Sequence, residues 1–309
     1  MEYIDTKNMT RSEWVESRKS GIGGSDAAAI VGLSPYSTPY TVWADKTGRI
    51  PPVEDNEAMR QGRDLEEYVA YRFCEETGKR CRRKNAILKN TDYPFAHANV
   101  DRWVVSENAG LECKTTTTLS LKKFKNGEFP DTYYCQCMHY MAVTGADRWY
   151  LAVLVLGREF MVYTIERDEE EIAALMDQES VFWGYVERDE EPPVDGLDPT
   201  GKAIGVIYAD VQDDGVVDLM GMESNIRSYQ DIKTTIKGLK EQLKQQEQEI
   251  KVALGESPKG IVGGFTVNWK PQERKTFQTK DFVADHPEMD LGSYYKTTAF
   301  RKFEIKEDK

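Results

Sequence analysis

Apolar residues recur three and four positions apart through much of the first half of the chain. The spacing predicts helices over residues 10–20, 38–47, 57–78 and 130–145. In the third of these, Met59, Leu65, Val69 and Phe73 fall near one face. A shorter helix is expected in GSDAAAIVG, with Ser25 as its cap. Strands are expected at AILKN (86–90), FAHANVDRWVV (95–105), LECKTT (111–116), the wholly apolar WYLAVLVLG (149–157) and FMVYTIER (160–167). A helix over 168–186 closes the series. Helices flanking a central mixed β-sheet make residues 1–191 an α/β (α+β) domain.

Beyond residue 191 the pattern changes. PPVDGLDPTG (192–201) reads as a boundary, which makes 192–217 a linker, with room for a short strand at VIYADV (206–211). Over 218–256 a single long helix is expected. Met222, Tyr229, Ile232, Ile236, Leu239, Leu243, Gln246, Ile250 and Ala253 form a heptad seam along it. Such a seam suits a coiled coil used for assembly and a helix packed within its own domain equally well. In 257–309, GGFTVNWKPQERKTF alternates like a β-hairpin turning around Pro271–Arg274, and SYYKTTAFRKFEIK is strand-like and basic.

At 309 residues the chain has room for two domains, or one with an appendage. No apolar run approaches the ~20 residues of a membrane helix, and the polar start MEYIDTKNMTRSEW does not read as a signal peptide. The five cysteines lack a disulfide-scaffold spacing, so a reduced, cytoplasmic setting is expected. The net charge of −12 argues at first against nucleic acid. Residues 166–198, however, hold thirteen Asp and Glu against two Arg, a net of −11, so one stretch carries nearly the whole imbalance. Lys79, Arg80, Arg82, Arg83 and Lys84 form a basic cluster, which suits either a solvated face or phosphate contact.

The candidate chemistry lies in NVDRWVVSENAGLECKT (99–115). Glu112 and Lys114 are two apart on one predicted strand and therefore share a face. Asp101 sits across a turn at 106–110 and can join them. Converging carboxylates repel unless a cation lies between them, and hard oxygen donors suit Mg²⁺ or Mn²⁺. An exposed Glu-x-Lys ion pair is the plainer alternative.

The pattern D101-x10-E112-x-K114 resembles the PD-(D/E)XK nuclease motif, with Asn99-Val100 where the proline would stand. Further blocks occur in order: W14-x3-R18-x3-IGGSD, S34-PY-x3-Y40-x2-W43, G62-R63-x-L65-E66, NVDRWV, GLECKT and Y134-C-Q136-x2-H139-Y140. Together they resemble the YqaJ viral recombinase family, relatives of phage lambda exonuclease, over about the first 165 residues.

That resemblance implies a restriction-endonuclease-like core and metal-dependent 5′→3′ exonuclease action on linear double-stranded DNA, leaving 3′ overhangs for phage-type recombination. It implies that Asp101, Glu112, the backbone carbonyl of Cys113 and Glu66 hold two Mg²⁺ ions, with Mn²⁺ as a substitute. Glu67 competes with Glu66 for the same register. Lys114 is the implied catalytic lysine, and Gln136 orients the nucleophile or touches the DNA backbone. His139 and Tyr140 are softer candidates. Arg18 and Ser25 would hold the 5′-terminal phosphate, with Gly23 and Gly24 letting the backbone come close. Asp26 suits a helix start but repels phosphate, so its side chain is expected to turn away. The implied partners are DNA ends, a phage-type single-strand annealing protein and further copies of the chain, arranged as a trimeric ring in a bacterial host carrying the phage or prophage. The acidic stretch would lie on the outside of that ring, and Lys296, Arg301 and Lys302 of the C-terminal segment could touch DNA. An endonuclease or junction resolvase on the same core, or a non-catalytic DNA-end-binding module, is the alternative. Cys135 and Cys137 do not supply an iron–sulfur quartet. GIGGSD follows the polar helix WVESRKS rather than a strand, which argues against a nucleotide-binding Rossmann turn.

Overall fold

The computed structural model describes residues 2–210, 215–297 and 300–307. They divide into two compact units, Met1–Asp210 and Val211–Lys309. In chain order the first unit holds β1 (Glu2–Asp5), α1 (Arg11–Ser17), β2 (Ile22–Gly23), α2 (Gly24–Ile30), α3 (Pro39–Lys46), α4 (Glu57–Thr77), β3 (Cys81–Arg83), β4 (Ala86–Lys89), β5 (Ala96–Asn99), β6 (Arg102–Val104), β7 (Ala109–Thr116), α5 (Asp131–Thr144), β8 (Arg148–Val155), β9 (Glu159–Glu166), α6 (Glu169–Glu187) and α7 (Asp198–Ile207).

Two sheets result, with strand orders β1-β4-β5-β2 and β3-β6-β7-β8-β9. The stretch 95–105, expected as one strand, is two. β5 belongs to the first sheet and β6 to the second, and Val100-Asp101 is the crossing between them. In the second sheet β7 pairs antiparallel with β6 and parallel with β8, with Glu112 opposite Leu151 and Lys114 opposite Val153. Alternation along β7 divides its faces. Ala109 and Leu111 pack with Val69, Ala70 and Phe73 of α4. Gly110 and Glu112 face Trp149 and α5 on the other side.

Local sequence explains the helix ends. Thr10 and Glu13 cap α1 reciprocally, and Asn56 accepts the Met59 N–H at the start of α4. Gly78 ends α4 in the left-handed conformation (φ 69°). Ser25 is not the cap of α2. Gly23 holds that place, Ser25 lies in the first turn, and Asp26 reaches back to the Gly23 N–H. The glycine stretch also contains the two-residue strand β2, which pairs with β5.

The first unit extends past the proline-rich stretch. Pro199 stands in the first turn of α7, where its missing N–H has no helical partner to lose. Thr200 and Ala203 are buried, and Thr200 Oγ1 lies 2.8 Å from Thr38 Oγ1. Val206 and Ile207, expected to begin a strand, end this helix instead; Val211 lies outside the described residues.

The second unit holds α8 (Glu223–Leu254), β10 (Lys259–Val262), β11 (Phe265–Asn268) and α9 (Thr279–Asp285). The hairpin turns at Gly263-Gly264, not at 271–274. Both glycines have positive φ (53° and 82°), which a two-residue hairpin loop requires and proline cannot adopt. Among the described residues of SYYKTTAFRKFEIK there is no strand, and its first two residues close a 3₁₀ turn, Gly292–Tyr294.

Candidate active site

β7 and α5 bring four of the expected residues together. Lys114 Nζ lies 2.5 Å from Glu112 Oε1 and donates to Gln136 Oε1 at 3.0 Å. The Gln136 amide nitrogen donates to Glu112 Oε1 at 2.7 Å and to the Tyr140 hydroxyl oxygen at 2.9 Å. Glu112 is only 3% exposed, so the plain surface ion pair does not describe it. Lys114 also stands over the Tyr133 ring, 5.1 Å from its centroid.

Asp101 reaches this group from the crossing between the sheets. Its Oδ2 accepts the Cys113 N–H at 2.8 Å, which extends the β6–β7 ladder by a side chain. Burial, then Glu112, then Glu66 push the Asp101 carboxyl well above the usual carboxylate range. Burial would lower the Lys114 ammonium, but Glu112 and Asp101 outweigh it and hold its pKa up, so Lys114 carries its proton. Burial and the same carboxylates keep the Cys113 thiol protonated and inert.

Glu66 and Glu67 separate clearly. Glu66 lines a cleft of about 330 Å³ with Asp101 and Arg102, and its side chain is 28% exposed. Glu67 is 72% exposed and turns to Arg83 at 2.7 Å. Arg102 bonds both glutamates.

The donor set fits a hard divalent cation. Glu112 Oε2 is buried without a hydrogen-bond partner, and burial with the neighbouring Glu112 and Glu66 makes the ionised form of Asp101 costly unless a cation offsets it. Among the described residues no group of three or more His, Cys, Asp or Glu side chains is placed to hold a metal ion together. Mg²⁺ does not need three, because it keeps waters and takes one or two carboxylates with substrate oxygens.

A second cluster gathers at the start of α2. Arg18 stacks on Trp14 at 5.1 Å and donates to Ser25 Oγ at 2.7 Å. Asp26 does turn inward, accepting from the Gly23 N–H at 2.9 Å and from Lys46 Nζ at 2.7 Å. The two clusters touch through Gly24, where a methyl group would lie 2.6 Å from the Tyr140 ring and 3.1 Å from Gln136.

His139 does not join either group. It is fully buried, with Nδ1 at 2.8 Å from Glu179 Oε1 and Nε2 at 3.0 Å from the His97 carbonyl. A carbonyl only accepts, so Nε2 carries a proton, and the pair shares another between Nδ1 and Glu179. It ties α5, α6 and β5. Tyr140 belongs to the site as the support of Gln136. Lys46 was missed by the sequence reading. Its signal was its place three residues after Trp43, on the otherwise apolar face of α3.

The YqaJ-like viral recombinase domain matches residues 13–147. The uncharacterized protein YqaJ of Bacillus subtilis (strain 168) is 38% identical over 304 residues, which span 97% of this chain and 95% of that one. Among solved structures, the alkaline exonuclease LHK-Exo of Laribacter hongkongensis superposes with a TM-score of 0.50 at 21% identity, covering 58% of this chain and 93% of its own. Its complex with dAMP gives 0.51 with the same coverage. At that identity the likeness is one of fold, and it agrees with helices flanking mixed sheets. Identity along nearly the whole length, with the domain match across both side-chain clusters, makes this chain a member of the YqaJ-like viral recombinase family.

Proposed function

We propose that the chain is a metal-dependent nuclease that digests linear double-stranded DNA from its 5′ ends. The observation that carries this reading is the group Asp101, Glu112, Lys114 and Gln136, in which Glu112 and Gln136 are buried, Asp101 and Lys114 half-buried, and Glu112 Oε2 left unpartnered. Asp101, Glu112, the Cys113 carbonyl and Glu66 are the donors for Mg²⁺ or Mn²⁺, as two ions. When bound, the ions supply Lewis acidity and acidify water. Lys114 places a positive charge beside the phosphoryl group as negative charge develops there. Gln136 holds Lys114 and Glu112 in register and offers its amide to the incoming water or the DNA backbone. Arg18 and Ser25 grip the 5′-terminal phosphate, which sets the polarity as 5′→3′ and leaves a 3′ single strand. A phage-type annealing protein is the consumer of that strand. A homo-oligomeric ring would keep the enzyme on its substrate.

The test is digestion of linear duplex DNA carrying 5′-phosphate or 5′-hydroxyl ends in Mg²⁺. The chain should release mononucleotides from the 5′ side and favour phosphorylated ends. Lys114→Ala should lose about 10²–10³-fold in kcat. Equal activity in the variant, or none on any end in the parent, would sink the reading.

A further inference from the structure

Lys46 is a lysine on a core-facing helix side, with a side chain only 1% exposed. Burying an ammonium is costly unless it is paired and hydrogen-bonded. Lys46 meets that need in two places at once. It donates to Asp26 Oδ2 at 2.7 Å and to the carbonyl of Arg18 at 2.9 Å. Asp26 passes the restraint on, accepting the Gly23 N–H at 2.9 Å. One buried cation therefore fixes both ends of the segment from Arg18 to Gly23.

The same cation decides what Arg18 does. Arg18 Nη2 donates to Ser25 Oγ at 2.7 Å and stands 3.8 Å from Asp26 Oδ1. Burial works to raise the Asp26 carboxyl, but Lys46 and then Arg18 more than offset it, so Asp26 stays ionised. An ionised Asp26 with no other partner would draw the guanidinium to itself and repel any phosphate nearby.

We propose that Lys46 is a positioning residue for the phosphate grip: by neutralising Asp26 it leaves Arg18 directed to Ser25 and to the DNA end. The proposal rests on Arg18 and Ser25 being the 5′-phosphate pocket. It explains how a carboxylate can sit beside that pocket without spoiling it.

The experiment compares kcat and KM on duplexes with 5′-phosphate and 5′-hydroxyl ends for the full chain and four variants. Lys46→Met should raise KM for phosphorylated ends about 10- to 100-fold, the worth of one charge-assisted hydrogen bond, while kcat at saturation changes little. Lys46→Met with Asp26→Asn removes both charges and should restore the preference. It also serves as the folded comparison if the single variant does not fold. Asp26→Asn alone should keep the preference. An unchanged phosphate preference in folded Lys46→Met, a fall in kcat without a change in KM, or a double variant as unselective as the single one would each overturn the role given to Lys46. Arg18→Ala tests the pocket separately. If Arg18→Ala keeps the preference, the phosphate reading fails whatever Lys46 does.

Discussion

Gly24 has no room for a methyl group. An added Cβ would stand 2.6 Å from the Tyr140 ring, which is buried with its centroid 5.1 Å from that of Trp149, and 3.1 Å from Gln136. Gly24→Ala must therefore push Tyr140 off the amide that aligns Lys114 and Glu112. Overpacking of this kind costs about 1–3 kcal/mol, and each kcal/mol lowers the thermal midpoint by roughly 2–4 °C in a unit of this size. Calorimetry and duplex digestion should show a lower midpoint and a loss of kcat together. A lower midpoint with full kcat would mean that Tyr140 is not needed to align the amide. At this scale the sequence was partly legible. Glu112 and Lys114 declare themselves by a spacing of two on a strand, and Gln136 by its motif. Lys46 does not, because its partners Asp26 and Arg18 lie twenty and twenty-eight residues away and only the fold joins them.

Elements explain why Asp101 is where it is. The alternation of FAHANVDRWVV reads as one strand, and nothing in it signals that the chain leaves one sheet for another after Asn99. β5, which leads into the crossing, is anchored at His97, whose carbonyl accepts from His139, and both histidines are buried. Glu179 sits under His139, an acid inside a stretch whose other acids give it the look of a solvated face. The two histidines titrate in opposite senses. Burial would lower His139, but Glu179 outweighs it and raises its pKa, so its contribution is whole below about pH 6.5 and is lost as the pH rises through the raised value. His97 has a pKa lowered to about 3, first by burial and then by Lys46 and His139, and no hydrogen-bond partner on either ring nitrogen. Unfolding lets it take up a proton near pH 6.5. Its contribution is therefore whole above that value and is lost as the pH falls toward about 3, at up to about 1.4 kcal/mol per pH unit. Urea titrations from pH 7.5 to 4 should give a shallower acid limb in His97→Leu than in the parent. Parallel limbs would show that the ring is not held neutral in the folded chain.

At the scale of the whole molecule, every group proposed for hydrolysis or end binding lies in Met1–Asp210. That division was half legible. Prolines and glycines at 192–201 mark a break in pattern, but α7 begins among them, inside the first unit, because Thr200 and Ala203 find a buried face that a linker would not need. The hairpin was legible in kind and misplaced in register, since Gly263-Gly264 competes better for a tight turn than Pro271–Arg274. The heptad over α8 was legible as a helix of 32 residues, and its seam residues Ile236, Leu239 and Leu243 remain exposed. Among the described residues no helix is long and apolar enough to cross a membrane, so that seam is not a membrane span. Its period is that of a helix meeting another helix, in its own unit or in another copy, and it carries none of the groups proposed for hydrolysis. Deleting residues 218–309 should therefore leave the kcat per chain on short duplexes with phosphorylated ends within a few-fold of the parent, because the Asp101–Glu112–Lys114–Gln136 group and the Arg18–Ser25 pair are untouched. Light scattering on the same samples reads the mass. If kcat collapses while the truncated chain stays folded by circular dichroism, the second unit supplies part of the active site. If only digestion of long duplexes slows and the mass falls, it serves assembly and grip.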